Sequence, residues 1–90
     1  MRGYPVEAGR VVISKCGRDE GRRFLVTQVL DEDFVLIADG ETHTAQKQKK
    51  KRKKHLKATE TLIESMRDRI LSGETPENRE IAACLSKEEG

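Results

Sequence analysis

Three short apolar runs, each closed by turn-forming residues, dominate the first half of the chain. Residues 10–16 contain Val11, Val12 and Ile13, residues 24–30 read Phe-Leu-Val-Thr-Gln-Val-Leu, and residues 34–38 read Phe-Val-Leu-Ile-Ala. The runs are rich in β-branched and aromatic residues, and they are separated by Gly17 to Gly21, by Asp31-Glu32-Asp33 and by Asp39-Gly40. Such short runs with tight turns between them predict an antiparallel meander. Side chains alternate along a strand, so Phe24, Val26 and Leu30 face one way while Leu25 and Val29 face the other. In the next run Phe34, Leu36 and Ala38 oppose Val35 and Ile37. A sheet that is apolar on both faces needs cover on both. A small rolled barrel supplies the inside, and helices further along the chain supply the outer cover.

The period changes after residue 58. Leu62, Met66 and Ile70 recur at four-residue spacing with Ile63 and Leu71 beside them, which predicts one amphipathic helix near residues 60–72. Thr61 and Glu64 fit a capping box at its start, and Gly73 stops it. Thr75-Pro76 restarts a second helix, near residues 76–87, with a stripe of Ile81, Cys84 and Leu85. Residues 87–90 are expected to fray. Between the two halves, residues 55–58 predict a last short strand, leaving residues 41–54 as a projecting loop.

Charge sharpens this picture. Residues 1–40 have a balance of −1, residues 41–57 of +7 and residues 58–90 of −4, so a net charge of +2 conceals a concentrated basic block. Its centre is Lys47-Gln48-Lys49-Lys50-Lys51-Arg52-Lys53-Lys54. Ammonium groups in succession repel one another, and a polyanion rewards them by neutralisation and counterion release. A nucleic acid is the partner this favours; a mobile solubilising loop or an import signal is the plainer reading. In either case the run is expected to be mobile until it binds.

Composition narrows the rest. Ninety residues make one small domain with a modest core. The chain has no Trp, and Tyr4, Phe24 and Phe34 are too few for a platform that stacks several bases. Contact with backbone and shape is favoured over base reading. Cys16 and Cys84 are far apart, no stretch approaches the roughly 18 apolar residues of a membrane span, and the first residues contain no apolar leader core, so a cytoplasmic protein is expected. Two Cys and two His (His43 and His55) show no ligand spacing, and no metal or other cofactor is expected. Neither a nucleophile–base arrangement nor a phosphate-cradling loop is present. His43 stands alone between hydroxyls, and an enzyme acting on a small molecule is the poorest reading.

The segment from Gly9-Arg10-Val11-Val12-Ile13 through Gly17-Arg18-Asp19-Glu20-Gly21-Arg22-Arg23-Phe24 resembles a KOW motif. In that pattern a glycine leads into a strand, and a polar loop closes on a second glycine followed by a basic residue. Gly9, Gly21 and Arg22 take those places, with Gly17 opening the loop. From Val6 to about Leu62 the chain is similar to the amino-terminal domain of an e-type ribosomal protein family of archaeal and eukaryotic large subunits. It resembles most closely the short bacterial KOW-domain RNA-binding proteins, through Gly17 to Arg22, Ala38-Asp39-Gly40, the lysine tract and Lys54-His55-Leu56. The resemblance implies an SH3-like β-barrel over residues 1–58 that binds ribosomal RNA; a helical extension over 59–90 packed on it and a monomeric state are expected with it. The short, acidic end of the chain departs from the long basic tail of the ribosomal proteins, which favours an accessory factor. The expected RNA contacts are Lys47, Lys49, Lys50, Lys51, Arg52, Lys53, Lys54 and Lys57 on one surface. Lys15, Arg18, Arg22 and Arg23 on the KOW loop form a second, with arginine forks fixing register. The alternative is a protein-binding KOW module of the transcription or translation machinery.

Overall fold

The computed structural model describes the backbone of residues 3–89 and the side chains of residues 3–86. Five strands, Arg10–Ser14 (β1), Arg23–Val29 (β2), Phe34–Ala38 (β3), Lys49–Arg52 (β4) and Leu56–Leu62 (β5), precede two helices, Glu64–Leu71 (α1) and Asn78–Glu89 (α2). The strands form one antiparallel sheet in the order β4-β3-β2-β1-β5. The three apolar runs are strands at almost the expected boundaries.

Both faces of the sheet are apolar, and each has its own cluster. Val12, Phe24, Val26, Val35, Ile37 and Leu56 fill one side, with Val6 and Ala58 packed at its margin. On the other side Val11, Leu25 and Ala38 pack with Met66, Ile81 and Leu85, and Ile63, Ile70 and Cys84 lie against them half-buried. The helices therefore cover the outer face, as the two-sided strands require. Val29 and Leu30 escape this rule and are each 40% exposed, because the β2–β3 register shifts between Val26 and Gln28 and the pair ends soon after.

The expected closed barrel is corrected to an open sheet: β4 pairs only with β3, and β5 only with β1. The two edges nevertheless lie in register along the chain, joined by the single 3-10 turn Lys53–His55. So short a link between the outermost strands requires a strongly curled sheet.

The loop expected over residues 41–54 and its mobile lysine tract are corrected as well. Lys49, Lys50, Lys51 and Arg52 form strand β4, opposite Ile37, Leu36, Val35 and Phe34 respectively. A strand sends successive side chains to opposite faces, so like charges on one face stand about 6.7 Å apart. Their repulsion in water is then only about 0.6 kcal/mol per pair. Pairing satisfies the free edge of β3, and lysines are suited to an outermost strand because they discourage further strand addition.

The capping box at Thr61–Glu64 does not form. Thr61 lies inside β5, and the helix begins after Ile63, which contributes no side-chain cap. Long-range pairing wins over the local signal: Leu62 stands opposite Arg10, the Ile63 amide donates to Gly9 O at 2.9 Å, and Thr59 Oγ1 donates to Val11 O at 2.7 Å. Of the expected stripe, Met66 is buried, Ile70 is half-buried, and Leu62 belongs to the strand. Gly73 ends α1 with a φ of 99°, its amide donating to Ile70 O. The second helix starts at Asn78, later than Thr75-Pro76 suggests, with Pro76 fully buried ahead of it. The fraying expected at residues 87–90 concerns side chains, and Gly90, outside the described residues.

Candidate nucleic-acid interface

The basic strand has two unlike faces. Lys49 and Lys51 share the side of Ile37 and Val35, and both are half-buried, whereas Lys50 and Arg52 are exposed on the side of Leu36 and Phe34. On the first side, Lys49 Nζ donates to Asp19 Oδ2 at 2.9 Å. Asp19 belongs to the loop Gly17–Gly21 and is itself buried. The hydrogen bond from Lys49 is the main force holding its carboxyl below the usual range, against the opposing effect of burial. His43 Nε2 lies 3.7 Å from the same carboxylate oxygen. Lys51 belongs to the same junction, because its ammonium is 3.9 Å from where a side chain on Gly17 would begin.

Loop and strand are thus one continuous surface, where two were expected. Arg22 is half-spoken for: Nη2 donates to Asp39 Oδ2 at 3.1 Å, and Nη1 is 3.9 Å from Asp19. Asp39 is buried, and its other oxygen accepts from the amides of Glu41 and His43 at 2.8 and 2.9 Å, shaping the turn that leads towards β4. Arg18 is exposed, with no side-chain bond among the described residues. Lys15 is exposed where β1 ends, its amide donating to His55 O. Arg23 and Lys57 depart from this group. Both stand opposite Ile13, and Arg23 lines a cleft of about 300 Å³ against Ala82 and Leu85, on the helix side of the sheet. Lys47 and Lys54 are exposed at either end of the tract, and Lys53 is half-buried with its amide on Asp33 O.

On the second face, Lys50 Nζ sits 4.5 Å and Arg52 Cζ 4.7 Å from the centre of the Phe34 ring. The acidic turn lies close by, since Glu32 and Asp33 line a cleft of about 280 Å³ with Arg52, Lys53 and Lys54. Asp31 is occupied locally: its Oδ1 accepts from the amides of Asp33 and Phe34, which keeps its carboxyl below the usual range. Among the described residues, no group of three His, Cys, Asp or Glu side chains could hold a metal, and no helix is long and apolar enough to cross a membrane.

The chain matches no known protein-family model. It is 36% identical over 62 residues to the large ribosomal subunit protein eL14 of Pyrobaculum arsenaticum, covering 69% of this chain and 60% of that protein. The eL14 of Desulfurococcus amylolyticus is 33% identical over 58 residues, covering 64% and 60%. That of Metallosphaera sedula is 26% identical over 85 residues, covering 94% and 80%. The chain is related to archaeal eL14. It spans about three fifths of the length of the first two of these relatives. The e-type ribosomal resemblance is therefore supported at modest identity, while the kinship with short bacterial proteins gains no support from these archaeal relatives.

Three residues of this surface lie outside the set the sequence assigned to it: Asp19, Asp39 and Phe34. Asp19 stood only as a member of the KOW-like loop, not as the buried tie to β4. Phe34 stood as a strand residue, because its cationic neighbours are brought to it only by the β3–β4 pairing. Arg10 is a further structural cation, buried and donating to Pro5 O, Thr59 O and Glu7 at 3.0, 3.3 and 2.9 Å.

Proposed function

We propose that this protein binds structured ribosomal RNA, acting in translation as a cytoplasmic, ribosome-associated factor without enzymatic activity. The observation that carries this reading is the ordered basic strand β4 at an outer edge of the sheet, continuous with the loop that resembles a KOW motif. Cations fixed at regular spacing along an exposed edge suit a phosphate backbone better than they suit a protein core. Its relatives carry the name of a large ribosomal subunit protein, which supports the choice of RNA over DNA. The curled sheet with its 3-10 link between edges is the frame an SH3-like KOW unit would use, with the two helices as an extension laid on its outer face. Lys47, Lys50, Arg52 and Lys54 of the tract, with Lys15 and Arg18 beside it, supply the contacts, and Lys49 and Lys51 add charge to the same surface.

All three aromatic rings are already engaged or buried. Phe24 is fully buried, Phe34 lies under Lys50 and Arg52, and Arg10 stands 5.4 Å over Tyr4. Recognition by phosphate and shape follows, not by stacked bases.

A salt titration on purified archaeal large-subunit ribosomal RNA tests this. Replacing Lys49, Lys50, Lys51 and Arg52 together by Gln should flatten the slope of log affinity against log salt by about 1.5 or more, as each lost phosphate contact removes about 0.7–0.9. A variant that keeps the parent's slope would move the protein-binding KOW reading to first place.

A further inference from the structure

The two faces of β4 hold their cations in chemically different ways. Lys49 spends a donor on the Asp19 carboxylate, and the Lys51 ammonium lies against the Gly17 turn. Both are half-buried. Lys50 and Arg52 are exposed and are steered by a ring instead of a carboxylate. A cation over an aromatic face is held by the ring's quadrupole, and its N–H groups are not consumed. For Arg52 the distinction matters most. A guanidinium held over a ring spends none of its N–H donors on a carboxylate, so the fork that matches a phosphate stays available.

Resting on the RNA reading above, we infer that Phe34 is a positioning residue that holds Lys50 and Arg52 as a pre-ordered phosphate clamp, while Lys49 and Lys51 serve mainly to fasten the Gly17–Gly21 loop to the strand. The tract is therefore a division of labour between alternate residues, not a uniform brush of charge. Long cationic side chains are costly to immobilise on binding, and a ring that restricts them beforehand removes part of that cost.

The test separates charge number from charge order. Lys50→Gln with Arg52→Gln should lower the salt slope on large-subunit ribosomal RNA by about 1.5, the value for two lost contacts. Phe34→Leu should leave the slope unchanged, because every charge remains, yet weaken binding about three- to tenfold at each salt concentration. Phe34→Tyr should restore the parent's affinity. Phe34 belongs to neither buried cluster, so the leucine variant should keep its fold, which circular dichroism checks. Without RNA, the side-chain methylene signals of Lys50 and Arg52 should be shifted upfield by the ring in the parent and in Phe34→Tyr, and not in Phe34→Leu. The inference is overturned if those shifts are missing, if folded Phe34→Leu binds like the parent, or if Lys49→Gln with Lys51→Gln takes the larger share of the slope. A parent protein with no salt-dependent binding at all would overturn the RNA reading itself, and this inference with it.

Discussion

Asp19 shows how one buried carboxylate organises a surface rich in cations. It gathers Lys49 at 2.9 Å, His43 at 3.7 Å and Arg22 at 3.9 Å, and so closes the Gly17–Gly21 loop onto β4. Asp19→Asn should free that loop and cost about 1 kcal/mol, the worth of a charged hydrogen bond with a partly exposed partner. The tie also has a pH sense. The carboxyl is depressed in the folded state, so its contribution is full above the ordinary carboxylate value near 4 and is lost as pH falls through the lower folded value. Amide exchange of residues 17–21 in the parent and the variant, followed down that range, checks both statements. Gly40 makes a second case. Its φ is 81°, and a methyl group there would run into the Asn78 carbonyl at the start of α2. Gly40→Ala should cost about 2–3 kcal/mol in urea unfolding, from left-handed strain and overpacking together.

Among the elements, α1 and α2 rest on the sheet and are tied to one another by an ion pair. Arg69 of α1 donates to both carboxylate oxygens of Glu80 at 2.7 and 3.0 Å and to Glu74 at 3.1 Å, bracketing the turn between the helices. The Arg69 bond is the main cause that lowers the Glu80 carboxyl from 4.5 to about 2. Since the folded value is the lower one, this stabilisation is present above about pH 4.5 and disappears as pH falls towards 2. Glu80→Gln should therefore flatten the acid limb of the stability curve in that window, as read by thermal unfolding. Beneath this turn, Met66 is 4% exposed among Val11, Leu25 and Ile81. Met66→Asp should cost about 3 kcal/mol or more, because it buries a charge among apolar neighbours where the one cation within reach, Arg69, is already engaged by Glu80 and Glu74. Chemical denaturation of the variant reads that loss directly. Full stability would mean that the helices do not cover the sheet.

For the molecule as a whole, the first three strands, the two-sided sheet and the need for a helical cover were legible from the sequence alone. Alternation is a local property: which way residue 25 points follows from where residue 24 points, and no distant partner is required. The same holds for Gly73, whose left-handed backbone ends a helix wherever it is placed. Charge segregation, too, is already complete in the order of residues. What the tertiary structure alone decided is what those charges do. Taken locally, eight residues with seven cations repel and stay mobile; beside the free edge of β3 the middle four gain a ladder, alternate their faces and find Asp19 and Phe34. Thr61 and Glu64 have the right spacing for a cap, yet the pairing of Leu62 with Arg10, more than fifty residues away, claims the segment as strand. Closure of the sheet also lay beyond the sequence, because it depends on how far two edges approach after five strands have curled. Patterns with a short period are written in neighbouring residues, whereas a partner, a cap or an edge is settled by the lowest free energy among contacts that only the folded chain brings together.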